Sequence, residues 1–250
     1  MKNKLIVIAG PCVVENKYIL EQVADKITMI ANKFDIDLIF KSSYRKANRT
    51  KLEAFTGIGD KLALGFLADI RKEYGIRVTS DIHSAEEAEL AAKYVDVIQI
   101  PAFLSRQTDI LIAAGKTGMT VNIKKGQFMS VDDIKYAISK IRSTGNKMIM
   151  VTERGSSFGY DDLVIDFRNI PLIQNCLNTY YTPVIVDVTH SLGKRAGNFY
   201  LTKLLAKAAI AAGADGIFVE THPDCENAFS DGKRMIPLDR FEELIYELVL

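Results

Sequence analysis

Thr120-Val121-Asn122-Ile123-Lys124 is the stretch from which the fold can be read. It is short, β-branched and largely apolar, and its two polar residues stand two apart, so in a strand both side chains leave the same face. A strand that begins apolar and ends in an amide and an ammonium fits a buried strand that emerges at a polar mouth. The same form recurs along the chain at Leu5–Ala9, Asp37–Lys41, Arg77–Ile82, Val95–Ile100, Lys147–Thr152, Pro183–Val188 and Gly216–Glu220, which makes eight runs. Between them the apolar spacing predicts helices over Lys17–Lys33, Lys61–Tyr74, Ala85–Tyr94, Thr108–Lys116, Val131–Ser143, Asn169–Asn178, Phe199–Ala212 and Leu238–Leu250. Eight strand–helix units over 250 residues, roughly 31 residues each, have the spacing of a (β/α)8 barrel. A doubly wound open sheet is the alternative, but eight regular units without a second zone of composition favour closure. The expectation is an α/β protein, one (β/α)8 (TIM) barrel domain over residues 1–250.

Composition agrees with a globular protein that has a core to fill: 48 % of residues are apolar and 25 % charged. Lys and Arg number 32 against 31 Asp and Glu, a formal charge of +1, which gives no electrostatic reason to expect nucleic acid or an anionic membrane as partner. The apolar run Leu5–Ala9 is too short for a secretion signal and is followed at once by Pro11, Cys12 and Glu15. No stretch approaches the length of a membrane span. Cys12, Cys176 and Cys225 are odd in number and far apart, unlike a disulfide framework, so the cytoplasm is the expected compartment.

In a barrel the strand ends collect at the C-terminal mouth, where barrel active sites lie. Here those ends carry Cys12, Lys41, Asp81, His83, Gln99, Asn122, Lys124, Glu153, Arg154, Asp187, His190, Glu220 and His222. One polar strand end is simply chain meeting water; seven of them imply a site. Lys41, Lys46, Arg49, Lys124 and Arg154 bring cations to one region, which calls for phosphates or carboxylates, with Arg supplying bidentate contacts. Taken singly, each cation could instead be in a structural ion pair with Asp81, Glu153, Asp187 or Glu220. Cys12, His190, Glu220 and Asp231 offer thiolate, imidazole and two carboxylates, and closure would bring the first three together although Cys12 and Glu220 are far apart in sequence. That set suits a catalytic divalent metal better than a structural one. The alternative is that Cys12 is a small buried filler.

Several of these segments are similar to those of the 3-deoxy-D-manno-octulosonate 8-phosphate synthase family. They are Ile8–Cys12 (IAGPC), Phe40–Thr50 (FKSSYRKANRT), Gln99–Asp109 (QIPAFLSRQTD), Val121–Phe128 (VNIKKGQF), Thr152–Gly155 (TERG), Phe158–Tyr160 (FGY), Asp187–Ser191 and Glu220–Pro223 (ETHP). The resemblance implies a (β/α)8 barrel that condenses phosphoenolpyruvate with arabinose 5-phosphate and releases inorganic phosphate, on the way to the sugar acid of lipopolysaccharide. It implies that Lys41, Lys46, Lys124 and Arg154 hold phosphoenolpyruvate, and that Asn48, Arg49 and Thr50 meet the sugar phosphate. Arg106 would reach that phosphate from a neighbouring subunit of a homotetramer. Gln99 and Asn122 join the expected substrate contacts, and Lys46, Lys124, His190 and Asp231 are the expected catalytic groups. Members of the family with Cys after Gly-Pro are metal-dependent, so Cys12, His190, Glu220 and Asp231 are the implied ligands of a divalent ion (Fe, Zn, Mn or Co).

One segment departs from the pattern. The family usually has a long Gly-rich loop after the His-Ser pair, whereas here His190-Ser191-Leu192-Gly193-Lys194-Arg195 runs quickly into the next helix. That form resembles the related 3-deoxy-D-arabino-heptulosonate 7-phosphate synthases, which use erythrose 4-phosphate. Those relatives carry Lys-Pro-Arg-Thr-Ser where this chain has Lys46-Ala47-Asn48-Arg49-Thr50, and this block, which meets the acceptor, favours arabinose 5-phosphate. A barrel that binds a phosphorylated ligand without catalysis is the reading from another class.

Overall fold

The structure is a computed structural model and describes residues 4–177 and 180–249. Eight parallel strands form the barrel: β1 (Ile6–Gly10), β2 (Asp37–Lys41), β3 (Arg77–Asp81), β4 (Val97–Ile100), β5 (Thr120–Lys124), β6 (Ile149–Glu153), β7 (Val184–Asp187) and β8 (Gly216–His222). Each pairs with the next, and β8 closes on β1 in the register Ile6 opposite Gly216 through Gly10 opposite Glu220. Around them run α1 (Lys17–Phe34), α2 (Asp60–Tyr74), α3 (Glu87–Ala91), α4 (Thr108–Lys116), α5 (Ile134–Arg142), α6 (Asn169–Gln174), α7 (Phe199–Ala211) and α8 (Phe241–Val249). The closed barrel expected from the eight runs is what forms.

Helix α1 illustrates how the outer ring is specified. The Asn16 side chain accepts the Ile19 N–H at 2.9 Å and caps the helix, Leu20, Val23, Ala24, Ile27, Ile30 and Ala31 at three-to-four spacing bury one face, and left-handed Asp35 (φ 53°) ends it. Inside the barrel, Ile8, Ile39, Val97, Met150, Ile185 and Phe218 form a separate apolar layer. Two residues further along the same strands, the same inward face carries Gly10, Lys41, Gln99, Thr152, Asp187 and Glu220. The strand period therefore turns an apolar floor into a polar layer within one step. Gly10 is required there: at φ 154° an added Cβ would lie 2.2 Å from the Lys41 carbonyl oxygen.

Several outer elements differ from the sequence expectation. Helix α3 is five residues long, because beyond Ala91 the N–H groups of Lys93 and Tyr94 turn back to Leu90 and Ala91 in tight turns. The α5 and α8 segments each open with a 3-10 turn, at Val131–Asp133 and Leu238–Arg240. Helix α6 stops at Gln174; Asn178 and Leu250, the expected ends of two helices, lie outside the described residues. A hairpin of Ser156–Ser157 with Leu163–Val164 and a 3-10 segment at His190–Arg195 were not anticipated. Among the described residues no helix is long and apolar enough to cross a membrane.

Candidate active site

The mouth of the barrel holds a cavity of about 930 Å³ lined from six strand ends and five of the loops that follow them. Lys41, Lys124, Arg154 and Glu220 come from the ends of β2, β5, β6 and β8, Lys46 to Lys51 from the β2–α2 loop, His190 from the loop after β7, and Asp231 and Arg234 from the loop after β8. Seven Lys and Arg side chains face three carboxylates in that lining. The excess of cations on a concave, partly dry surface makes it an anion site.

The cations divide into two groups. Lys41 Nζ donates to Glu220 Oε1 at 2.9 Å and to the Cys12 carbonyl at 3.1 Å, and Lys124 Nζ donates to Asp187 Oδ2 at 2.8 Å while lying 3.7 Å from the centre of the Phe218 ring. For these two lysines the structural ion pair is realised, although both ammonium groups still face the cavity. Burial alone would raise the partner carboxyls, yet Lys41 and His190 hold Glu220, and His190 and Lys124 hold Asp187, below the usual carboxylate range. Asp81 is likewise kept low against its burial by Lys41 and Lys46, with the Ser43 hydroxyl donating to it at 2.5 Å. Arg154 is different. Among the described residues it has no hydrogen-bond or ion-pair partner, and burial, opposed by Asp187 but reinforced by Arg234, pulls its pKa down. A half-buried guanidinium that repels its neighbour and has no acid of its own is a vacant half of an ion pair. Lys46 is pushed up: burial opposes its charge, but Cys12, Glu220 and Asp81 together outweigh that.

On the β1–β8 side, the Cys12 thiol lies 3.2 Å from both Ser230 Oγ and Asp231 Oδ2, and burial, with the charge of Glu220, pushes it up to about 12. His190 Nδ1 lies 2.9 Å from Asp187 Oδ2 and its backbone N–H donates to Oδ1 at 2.8 Å. With Nδ1 as the donor to Asp187, Nε2 is left free, 3.6 Å from Glu220 Oε2. Among the described residues no three His, Cys, Asp or Glu side chains stand at ligating positions. The expected four-ligand cage is thus present as two pairs, Cys12 with Asp231 and His190 with Glu220. The donor set fits a divalent ion all the same: Glu220 Oε2 is buried with no hydrogen-bond partner, and the carboxylate-held imidazole beside it has the form of a metal-ligating histidine.

Of the residues singled out from sequence, Lys41, Lys46, Asn48, Arg49, Thr50, Gln99, Lys124, Arg154, His190, Glu220 and Asp231 line the cavity. Cys12 sits just beneath it, 1 % exposed. Asn122 faces inward as expected, its amide nitrogen donating to Gln99 Oε1 at 2.9 Å and its amide oxygen accepting from the Thr152 hydroxyl at 2.9 Å. It supports Gln99 from below instead of lining the cavity. Arg106 is away from its own mouth, in a small groove with Ser105, Met129, Asp133, Tyr136 and Lys140. Arg234, which lines the cavity 3.6 Å from Asp231 Oδ1, escaped sequence reading because it lies in a loop without strand phase. So did Glu87, which accepts from Tyr44, Arg45 and His83 and ties the β2–α2 loop to α3.

Fold and site together define a (β/α)8 barrel enzyme class that handles anionic, phosphorylated substrates at its mouth. A family model described as the DAHP synthetase I family matches residues 1–248, and the chain belongs to that family. Its relatives include proteins named 2-dehydro-3-deoxyphosphooctonate aldolase, another name for 3-deoxy-D-manno-octulosonate 8-phosphate synthase. The chain is 45 % identical to that of Brucella anthropi over 249 residues, covering 97 % of this chain and 88 % of the relative. It is 46 % identical to that of Geobacter sp. strain M21 over 251 residues (98 % and 90 %) and 46 % identical to that of Granulibacter bethesdensis over 250 residues (97 % and 87 %). The resemblance noted in the sequence is to these proteins.

Proposed function

We propose that this chain condenses phosphoenolpyruvate with D-arabinose 5-phosphate and water to give 3-deoxy-D-manno-octulosonate 8-phosphate and inorganic phosphate. The observation that carries the reading is Arg154: an unpartnered guanidinium, flanked by Lys124 and Arg234, in a cavity with more cations than acids. A substrate with a phosphate and a carboxylate is the natural counter-charge, and the names of the relatives give its identity.

In this reading C3 of the enol phosphate bonds to the sugar aldehyde carbon, the aldehyde oxygen takes a proton, water adds at C2 and loses a proton, and the C2–O bond to phosphate breaks. Arg154 and Lys124 hold the phosphate and stabilise the charge it gains as it leaves. Lys46, Asn48, Arg49 and Thr50 receive the acceptor, with Arg49 anchored by its bond to Ser230 Oγ at 2.7 Å. The raised pKa makes Lys46 a permanent cation and a proton donor only to a base as strong as the new alkoxide. His190, oriented by Asp187, and Asp231 line the same cavity, and in this reading they attend the aldehyde and the attacking water. Cys12, His190, Glu220 and Asp231 would hold a divalent ion, which when bound supplies Lewis acidity. Arg106, absent from its own cavity, serves the mouth of a neighbouring copy in a homotetramer, and the enzyme works in the cytoplasm.

The test is phosphate released from phosphoenolpyruvate with arabinose 5-phosphate or erythrose 4-phosphate, each with and without EDTA. Release with the five-carbon sugar alone is expected. Release with the four-carbon sugar alone would move the assignment to the heptulosonate relatives, and release with neither, despite phosphoenolpyruvate binding, would leave a binding protein.

A further inference from the structure

Lys125 and Glu153 are fully buried, and the chemistry above uses neither. They are the sequence neighbours of Lys124 and Arg154, and they point the other way. The Thr152 hydroxyl meets Asn122 inside the barrel, so by strand alternation Glu153 faces outward, into the layer between strands and helices, and Arg154 faces in again. On β5, Lys124 faces the cavity and Lys125 turns outward. Lys124 is in register with Thr152, and the Lys125 N–H donates to the Thr152 carbonyl at 2.9 Å. The outward pair therefore stands back to back with the inward pair that faces the phosphate.

The contacts of the outward pair are directional. Lys125 Nζ is 3.5 Å from Glu153 Oε1 and 3.4 Å from each of the Gly126 carbonyl, the Met129 carbonyl and Ser156 Oγ. Glu153 Oε1 also accepts the Gly155 N–H at 2.7 Å, and Oε2 accepts from Asn169 Nδ2 on α6 at 3.1 Å. The Gly155 bond matters most, because it spans Arg154: a side chain bonded to the backbone two residues on closes a ring around the intervening residue and fixes its dihedral angles. Gly155 itself is at φ 87°, a conformation glycine supplies. A buried ion pair is a poor source of stability, since apolar side chains of similar volume pack such a space about as well. What the pair adds is a fixed direction for the ends of two strands.

We propose that Lys125 and Glu153 are positioning residues for Arg154 and Lys124: the buried pair sets the backbone from which both inward cations reach the phosphate of the substrate. The inference rests on the phosphoenolpyruvate reading above. Its mechanism is geometric, and displacements of the order of 1 Å are enough to cost roughly a hundredfold at a reacting centre.

The experiment compares the wild type with Lys125→Met/Glu153→Met, which removes both charges and the bond to the Gly155 N–H together, and with Asn169→Ala, which frees only Glu153 Oε2. Phosphoenolpyruvate Kd is measured by calorimetry, KM for each substrate and kcat by phosphate release, and Tm by calorimetry. The double variant is expected to bind phosphoenolpyruvate at least tenfold more weakly, with the sugar-phosphate KM within twofold of wild type. Asn169→Ala should shift in the same direction by a smaller factor, so it decides the matter if the double variant does not fold. Adding Arg154→Lys should cost less in the double variant than in the wild type, because the guanidinium is already displaced. A folded double variant, or a folded Asn169→Ala, whose phosphoenolpyruvate Kd stays within twofold of wild type overturns the inference. So does an equal rise in both KM values, which is the mark of a merely structural role. A wild type that binds no phosphoenolpyruvate overturns the functional reading itself, an outcome distinct from either of these.

Discussion

Replacing Lys41 by Met tests the electrostatics of the site directly. Lys41 and Glu220 are 2 % and 1 % exposed and lie 2.9 Å apart, and Glu220 Oε2 already has no hydrogen-bond partner. Lys41→Met would leave a carboxylate buried with neither oxygen bonded to a side chain, with Lys46 and Lys124 as its remaining cationic neighbours and His190 Nε2 3.6 Å away. Breaking a buried pair from one side costs about 3–5 kcal/mol. For a chain of this length roughly 2 °C of Tm goes with each kcal/mol, so a fall of about 6–10 °C is expected at pH 7. Lys41→Met/Glu220→Gln removes the stranded charge and should recover a substantial part of the fall without restoring phosphoenolpyruvate binding. The pH dependence has a definite sign. In the wild type Glu220 is held below its ordinary 4.5, so its contribution is present above that value and lost as pH falls through the folded pKa. In Lys41→Met burial acts on the carboxyl with less opposition and raises it, so protonation relieves the penalty and the two melting curves converge on acidification. If Glu220 also ligates a divalent ion, adding that ion at a hundred times its Kd raises Tm by the equivalent of about 2.7 kcal/mol, and Glu220→Gln diminishes the gain. The reasoning is refuted if Lys41→Met melts within 2 °C of wild type, or if the double variant melts below the single one.

Arg154→Lys keeps the charge but loses the two-pronged contact. It should raise the phosphoenolpyruvate KM about ten- to a hundredfold, of order 1–3 kcal/mol, with little change for the sugar phosphate; the reverse pattern would put Arg154 on the acceptor. Cys12→Ala should abolish EDTA-sensitive turnover and leave phosphoenolpyruvate Kd within twofold, whereas undiminished wild-type activity in metal-free buffer would remove the ion from the reaction. Glu87, opposed by burial but held down to about 2 by hydrogen bonds from His83 and Tyr44, contributes stability above its ordinary 4.5 that is lost as pH falls toward 2. Glu87→Gln should lower stability at pH 7 by about 1–2 kcal/mol, the shift being discounted for partial exposure, and flatten the acid limb of urea-monitored stability; a limb identical to wild type would mean that the carboxylate carries no such load.

What was legible in the sequence is what alternation controls. Apolar floor and polar layer are two residues apart on strand after strand, as in Ile39 and Lys41 or Phe218 and Glu220, so a period of two is enough to aim the cations and acids of the mouth. Closure is a matter of counting units, and it brings Cys12 to Glu220 and Asp231 across the β1–β8 seam. Depth is a different quantity. Asn122 has the right parity, but its amide is taken up by the side chains of Gln99 on β4 and Thr152 on β6, and no one-strand pattern contains the stagger of its neighbours. Loop residues have no phase at all, which is why Arg234 and the Asp162 side chain were missed; the latter bonds to Arg195 at 2.7 Å and seats the hairpin on the short segment after His190. Gly193 permits that approach, since at φ 53° an added Cβ would lie 2.5 Å from Asp162 Oδ1. The short segment after His190 is therefore packed against a hairpin of the same chain. Lys125 and Glu153 carry the same lesson from the opposite face: parity identifies them as outward, where charge is normally a surface feature, and only the layer of helices and loops above them turns that charge into a buried clamp behind Arg154.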